Sequence, residues 1–505
     1  MKGFTLREFI SVYKEATNNI EFTLKYHKME AKPHELQDYC VFCEEIIKEI
    51  DDSTDIDGWY LGTDIKVVPD FDILRYTDEI ITNVELKHST FNCTDKQRLK
   101  NKFKSQKHIL QLFGIKFYNF IFFSESKELY KYSIEEDCFE KITMEKFLRL
   151  IDINSPSQEN KINTLTPKEY LISPLEDIEK FFKGVYYLTE SQQFIVNEII
   201  FKNGIFGVTG IPGSGKTLVA YDLLRRIDRQ CEVKALMIFG GRIREQHKEM
   251  EKRFNNVHFV SAKDVNEEIL NSHDYIIIDE AQRMYKSTFS VIRSWGEVNR
   301  ENKKIVFFFD CDQTLSRKDM GNMLKNYFQT LEKDEKGRNF KLSDNIRSNK
   351  YIASFVKQLQ VLNKKPKKDI DILELREKIE VRFFRNADSA KPWIKSLQRK
   401  GYTFIAPTGD NHNAASVDQF YDIKHINTHS IIGSEIDSVV TYIDNNVVYT
   451  PQGILTKHNR EYYYLEKEIY VNISRAREKL ALAIVGNYDV YSAIMEVIFQ
   501  LKKSE

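Results

Sequence analysis

Residues 207–217 read GVTGIPGSGKT, and the rest of the chain is understood from that stretch. Gly210, Gly215, Lys216 and Thr217 complete the pattern G-x-x-x-x-G-K-[ST], with Gly213 and Ser214 inside it. Residues 201–208 are apolar enough for a buried strand, and 218–226 read as a helix. Strand, glycine-rich loop and helix N-terminus form the setting in which this pattern binds phosphate. The glycines let the backbone curl so that successive N–H groups face phosphate oxygens, and the helix start adds partial positive charge. Lys216 reaches the β- and γ-phosphates, and the Thr217 hydroxyl is positioned for Mg²⁺. The expected ligand is ATP with Mg²⁺, and the expected reaction is ATP hydrolysis.

Working outward toward the C-terminus, 235–239 and 275–278 read as buried strands, the second running into Asp279-Glu280-Ala281-Gln282. An acidic pair at the C-terminal end of a parallel strand lies where open α/β sheets bind ligands. Asp279 is placed to hold Mg²⁺ through its water shell and Glu280 to polarise the attacking water. The bland alternative is an ordinary acidic helix start. Strand 305–309 leads into Asp310-Cys311-Asp312-Gln313, where Gln313 is placed to sense the γ-phosphate. One helix upstream of the loop stands Leu188-Thr189-Glu190-Ser191-Gln192. A second α/β unit follows: Asn345-Ile346-Arg347-Ser348, strand 403–406, Asn427-Thr428-His429-Ser430 with Gly433 and Glu435, and Tyr470–Arg477 ahead of strand 480–485.

This ordered set, spanning 188–487, resembles the core of superfamily 1 helicases, nearer their UvrD/Rep-like branch. The resemblance implies an α/β fold of two RecA-like P-loop domains, at 188–335 and 336–505. It implies that Gln192 contacts adenine and that Arg347 and Arg475 reach across from the second domain as arginine fingers. His429, Gly433 and Glu435 fall in the motif that couples ATP to the strand. Two arginines stabilise transition-state charge in phosphoryl transfer, and supplying them from the other lobe makes cleft closure depend on ATP. Two positions depart from the pattern: Ser316 replaces a base-stacking aromatic, and Ile432 replaces a lysine. The short spacings, with only Lys364–Lys368 and its neighbours as extra length in the second lobe, predict a compact translocase on single-stranded nucleic acid.

Toward the N-terminus, apolar spacing predicts helices over 4–13 and 36–50, then strands over 59–68, 71–76 and 80–87 with a turn at 77–79. A Lys/Arg-rich helix over 94–113 and a strand over 117–123 complete the order. Pro69-Asp70-Phe71-Asp72 and Glu85-Leu86-Lys87 sit on this frame. Glu85 and Lys87 share a strand face, and Asp72 meets them across the hairpin. Two carboxylates and a lysine suit Mg²⁺-dependent phosphodiester cleavage, although the same residues on a half-exposed hairpin also serve as a solvated face. The segment resembles the PD-(D/E)xK nucleases, in their NERD-type branch. That implies a restriction-endonuclease-like α/β domain over 1–150, with Asp72 (Asp70 as fallback) and Glu85 on Mg²⁺ or Mn²⁺. Lys87 and Gln106 would assist, and Glu44 or Glu45 would be the first-helix carboxylate. The run Lys96, Arg98, Lys100, Lys102, Lys104 and Lys107 is either a solvated helix face or a grip on a nucleic-acid backbone.

Residues 151–187 lose periodicity, gather Ser, Pro, Asn and Thr, and read as a connector. The 505 residues carry 75 Lys+Arg and 75 Asp+Glu, so no global field draws in nucleic acid and any such binding is local. The charged start has no apolar stretch of signal-peptide type, no run is long enough to span a membrane, and six cysteines make no disulfide framework. Cys40 and Cys43 form an isolated C-x-x-C. The expectation is a cytoplasmic protein that does not engage membranes, acting on DNA, with room for a partner protein or a second copy. Three readings stay open: a nuclease coupled to an ATP-driven motor, resembling nuclease–helicase proteins of phage defence; a regulatory ATPase whose N-terminal segment binds without cutting; and a repair helicase with a nuclease-like docking domain.

Overall fold

The structure is a computed structural model. It describes residues 3–15, 20, 24, 33–51, 54, 56–62, 70–89, 93–165, 169, 172–230, 232–313, 319–342, 350–362, 372–409, 415–431, 436–457 and 463–500. Two compact units divide the chain: Met1–Ile172 with Gly184–Thr189, and Ser173–Lys183 with Glu190–Glu505.

Unit 1 opens with helices Leu6–Glu15 and Pro33–Ile47. Its sheet runs in chain order: β1 (Trp59–Leu61), β2 (Ile73–Tyr76), β3 (Ile80–Lys87), β4 (Lys116–Phe123), β5 (Glu128–Ser133) and β6 (Cys138–Ile142). All neighbours are antiparallel except β3 and β4, whose parallel pairing requires a crossover; helix Cys93–Leu110 supplies it. Aromatic edges lock the sheet to the helices, with Phe42 meeting Trp59, Phe122 and Phe147 at ring separations of 5.7, 5.2 and 5.8 Å. β1 is shorter than the expected strand 59–68, and residues 63–69, Pro69 among them, lie outside the described residues. β5 and β6 were not expected. Their largely half-exposed residues lack the continuous apolar signal of buried strands.

The start of the expected connector is fixed to this sheet. Arg75, 1% exposed, donates to the carbonyl oxygens of Asp57, Ile151, Asp152 and Ser155. The Gln158 N–H donates to Tyr76 O at 2.8 Å, and the Tyr60 hydroxyl donates to Gln158 O at 3.1 Å. Residues 151–158 therefore belong to unit 1 rather than to a free linker.

Unit 2 holds two all-parallel sheets. The first contains β7 (Gly204–Gly210), β8 (Ala235–Phe239), β9 (Val257–Ser261), β10 (Tyr275–Asp279), β11 (Lys304–Phe309) and β12 (Gly337–Leu342), in the order β12-β7-β11-β10-β8-β9. β8 and β11 are buried along their whole length, which is why ALMIF and, after Lys304, IVFFF read as unbroken apolar runs. The sheet extends through Leu342, past the boundary placed at residue 335. The second sheet contains β13 (Ile379–Phe384), β14 (Thr403–Ala406), β15 (Ile426–Asn427), β16 (Ile436–Ile443) and, after the hairpin β17 (Val447–Tyr449) and β18 (Leu455–Lys457), β19 (Ala476–Val485). Its order is β13-β19-β16-β14-β15. No helix among the described residues is long and apolar enough to cross a membrane.

Candidate functional site

Because β7, β11 and β10 are consecutive in the sheet, their C-terminal ends bring residues 210–217, 310–313 and 279–280 side by side. After β7 the chain turns through Gly213 and Gly215 and enters helix Lys216–Asp228. Gly215 caps that helix at φ +81°, in the left-handed region that a Cβ disfavours. A Cβ on Gly210 would stand 2.4 Å from Ser214 Oγ and 2.9 Å from Leu342 O. Lys216 Nζ donates to the carbonyl oxygens of Gly210 (2.6 Å) and Ile211 (3.2 Å), and lies 3.5 Å from Asp310 Oδ2. Ser214 Oγ is buried and has no hydrogen-bond partner among the described residues. Gln192, expected at adenine, donates from Nε2 to Ser214 O at 3.0 Å and so braces the loop.

Asp279 is buried, and burial, then the neighbouring Glu280, push its carboxyl up to about 7 against the opposing pull of the Glu280 N–H, Thr217 and Lys216. Glu280 sits at φ +53°, a costly conformation for a residue with a Cβ. From it a line of hydrogen bonds runs across the site. Gln282 Nε2 donates to Glu280 Oε2 (2.6 Å), and the Asp310 N–H donates to Gln282 Oε1 (3.1 Å). Gln313 Nε2 donates to Asp310 Oδ2 (3.0 Å), and Arg475 Nη2 donates to Gln313 Oε1 (3.1 Å). Arg475 stands just after helix Leu465–Ser474 beside the second sheet, so the line joins the two halves of unit 2. The sequence had placed Gln313 and Arg475 separately on the nucleotide; the structure pairs them. Gln282 and Asp310 had been given no role, and their only sequence signal was position at the ends of adjacent parallel strands.

The donor set fits Mg²⁺-bound ATP: a glycine-shaped loop with an unpartnered buried hydroxyl, a lysine over it, and the Thr217 hydroxyl hydrogen-bonded to Asp279. In the second half, His429 Nδ1 lies 3.3 Å from Thr408 Oγ1, and its ring packs edge-on against Tyr463 at 4.7 Å. Burial, then Arg283 and Arg242, hold this imidazole down at about 4, which keeps it neutral. Arg347, Gly433, Glu435, Ser316, Ile432 and Lys364–Lys368 lie outside the described residues.

Unit 1 brings Asp72, Glu85 and Gln106 together. Leu86 N–H donates to Asp72 Oδ2 at 2.8 Å, which ties the end of β3 to the residue before β2. Gln106 Nε2 donates to Glu85 Oε1 at 2.6 Å and to Asp70 O at 2.7 Å. Asn83 Nδ2 orients that amide by donating to Gln106 Oε1 at 2.7 Å, and it also reaches Asn119 Oδ1 at 2.9 Å. The Asp70 side chain is exposed, so Asp72 is the aspartate at the site. The lysine between the carboxylates is Lys102, not Lys87: its Nζ bonds Asp72 Oδ1 at 3.1 Å and Glu85 Oε2. Burial and Asp72 push Glu85 up to about 8. Asp72, although buried, is held below its ordinary value by Lys102, Lys87 and the Leu86 N–H.

The basic run is thereby partly consumed inside unit 1. Lys100 and Lys104 both pair with Asp137 at 2.8 Å, and Lys102 faces the carboxylates. Glu45 pairs with Lys48 and Lys127, and Glu44 with Lys14. The first-helix carboxylate that reaches the strand ends is Asp38, which accepts from Ser124 Oγ at 2.5 Å beside His88. Cys40 and Cys43 are buried thiols raised by desolvation, and no group of three or more metal-ligating side chains occurs among the described residues.

Residues 203–430 match the family model described as Schlafen group 3, DNA/RNA helicase domain. No curated protein sequence matches the chain. Among solved structures, unliganded Pif1 from Bacteroides sp is similar over 63% of this chain and 98% of that one, at 14% identity and a TM-score of 0.35. Bacteroides sp Pif1 in complex with ADP-AlF4 is similar over the same shares, at 13% identity and a TM-score of 0.34. Pif1 helicase from Candida albicans is similar over 63% of this chain and 99% of its own, at 10% identity and a TM-score of 0.33. Over residues 203–430, which hold the phosphate loop, Asp279, Glu280, Gln313 and His429, this chain is helicase-like.

Proposed function

We propose that the chain is an ATP-driven superfamily 1 helicase or translocase acting on DNA, with unit 1 a metal-dependent nuclease serving the same substrate. The observation that carries the motor reading is the hydrogen bond from Arg475 to Gln313, which connects the second half of unit 2 to the phosphate loop's neighbour Asp310. The loop N–H groups and Lys216 would bind the phosphates, and Thr217 and Asp279 would hold Mg²⁺. The metal supplies neutralisation of charge on the transferring phosphoryl group. Glu280, fixed by Gln282, orients the attacking water. Gln313 and Arg475 link that chemistry to the position of the second sheet, and the half-buried, neutral His429, beside Arg283 and Arg242 of the first half, extends the link. Arg347 is proposed as the second finger on the resemblance alone. Arg475→Ala should lower kcat for ATP hydrolysis by about 10³-fold with little change in ATP affinity. Parallel loss of binding would instead make Arg475 a structural residue.

The nuclease reading rests on Asp72, Glu85 and Gln106 meeting at one point of a mixed sheet, with Mg²⁺ or Mn²⁺ as the expected metal. Glu85→Ala should abolish metal-dependent cutting of labelled DNA while leaving ATP hydrolysis intact. One observation favours a second reading, in which unit 1 binds without cutting: the Lys102 ammonium already occupies the oxygen pair of Asp72 and Glu85. A setting in antiphage defence is supported by the resemblance to nuclease–helicase proteins and by nothing further.

A further inference from the structure

We propose that Asp72 and Glu85 form a cation site whose resident occupant is the Lys102 ammonium and whose competitor is a divalent metal, so that Lys102 must withdraw before metal enters. This rests on the metal-dependent reading of unit 1. The two carboxylates each commit one oxygen elsewhere: Asp72 Oδ2 accepts from the Leu86 N–H (2.8 Å), and Glu85 Oε1 accepts from Gln106 (2.6 Å). The remaining oxygens, Asp72 Oδ1 and Glu85 Oε2, converge from β3 and the turn before β2 onto one cation, Lys102 Nζ. A hard metal ion seeks that oxygen pair at shorter distances than an ammonium does, and the two cannot share it.

The geometry also provides the exit. The side chains of Glu85 and Asp72 are 0% and 9% exposed, whereas that of Lys102 is 24% exposed. The lysine therefore enters from the solvent side on a flexible four-carbon stem. Gln106, one turn further along helix Cys93–Leu110, stays on Glu85 through its own bonds to Asp70 O and Asn83 and keeps the carboxylate aimed while the ammonium leaves. With both carboxylates ionised the pair carries two negative charges, of which an ammonium offsets one and a divalent ion both. Lys87 shares the strand face of Glu85 and lends positive charge without occupying the point of convergence.

The test is calorimetric titration of Mn²⁺ into the nucleotide-free full-length chain as wild type, Lys102→Met, Lys102→Gln, Lys102→Arg and Asp72→Asn. Binding that Asp72→Asn removes is assigned to this site and separated from any at Asp279. The expected result is at least tenfold tighter Asp72-dependent binding in Lys102→Met and Lys102→Gln, with Lys102→Arg remaining as weak as wild type. In thermal melts, the metal-free Met and Gln variants should lie below wild type and gain more from Mn²⁺. Equal Asp72-dependent affinity in wild type and both neutral variants would overturn the role of Lys102 while leaving the metal site standing. Absence of Asp72-dependent binding in every chain would overturn the metal reading and the proposal together.

Discussion

Glu280, proposed to orient the attacking water, combines an unusual backbone conformation with a hydrogen-bonded carboxylate. Its left-handed backbone costs on the order of 1–3 kcal/mol, and the hydrogen bond from Gln282 holds the carboxylate that results. Strain retained beside Asp279 fits the role proposed for Glu280. Glu280→Gln should therefore lower ATP turnover by at least about 10²-fold while nucleotide binding, followed with a fluorescent ATP analogue, persists. Two histidines of unit 2, the buried His247 and the half-buried His429, give a pH test. Burial first, then Arg244, hold His247 down at about 4; burial, then Arg283 and Arg242, do the same for His429. Both folded values lie below the ordinary 6.5, so the unfolded chain binds more protons between about 4 and 6.5, and stability falls as pH drops through that window. In melts, His429→Gln should flatten part of that slope and leave the neutral-pH Tm nearly unchanged; an unaltered slope would mean that His429 is not neutral in the fold. The sequence made Asp72, Glu85 and Gln106 legible because two-residue strand spacing and an adjacent helix specify a shared face. Lys102 was not legible: within six basic residues on one helix, spacing alone does not say which one turns toward buried acids.

At the scale of elements, the phosphate loop depends on Gly215. A side chain there must adopt φ +81° at the start of helix Lys216–Asp228, which costs about 1–2 kcal/mol locally. Gly215→Ala should lower the Tm of the nucleotide-free protein by a few degrees and abolish stabilisation by ATP with Mg²⁺, as read in a thermal-shift assay. Retained ATP stabilisation would show that the loop does not need this geometry. The parallel strands around the loop were readable because strands covered on both faces are near-continuous apolar runs, as 235–239 and 305–309 are. β5 and β6 escaped because their half-exposed residues mix Lys, Glu and Tyr. The connector was misread for a related reason. Its order comes from backbone carbonyls bonded by the distant Arg75, a contact that leaves no periodicity in the segment itself.

At the scale of the whole molecule, the chain joins two compact units that each carry an acidic pair with little solvent exposure: Asp72 with Glu85, and Asp279 with Glu280. Each pair is expected to serve a separate phosphate chemistry, and the proposed activities should separate by mutation. If unit 2 converts ATP into work on a nucleic-acid strand, as proposed, its ATP hydrolysis depends on that strand. The most direct measurement is steady-state ATP hydrolysis by the full-length chain, with and without single-stranded DNA, comparing wild type, Lys216→Ala and Glu85→Ala. DNA-stimulated hydrolysis is expected in wild type and Glu85→Ala, and none in Lys216→Ala. Hydrolysis that ignores DNA, or that survives loss of Lys216, would contradict the proposal.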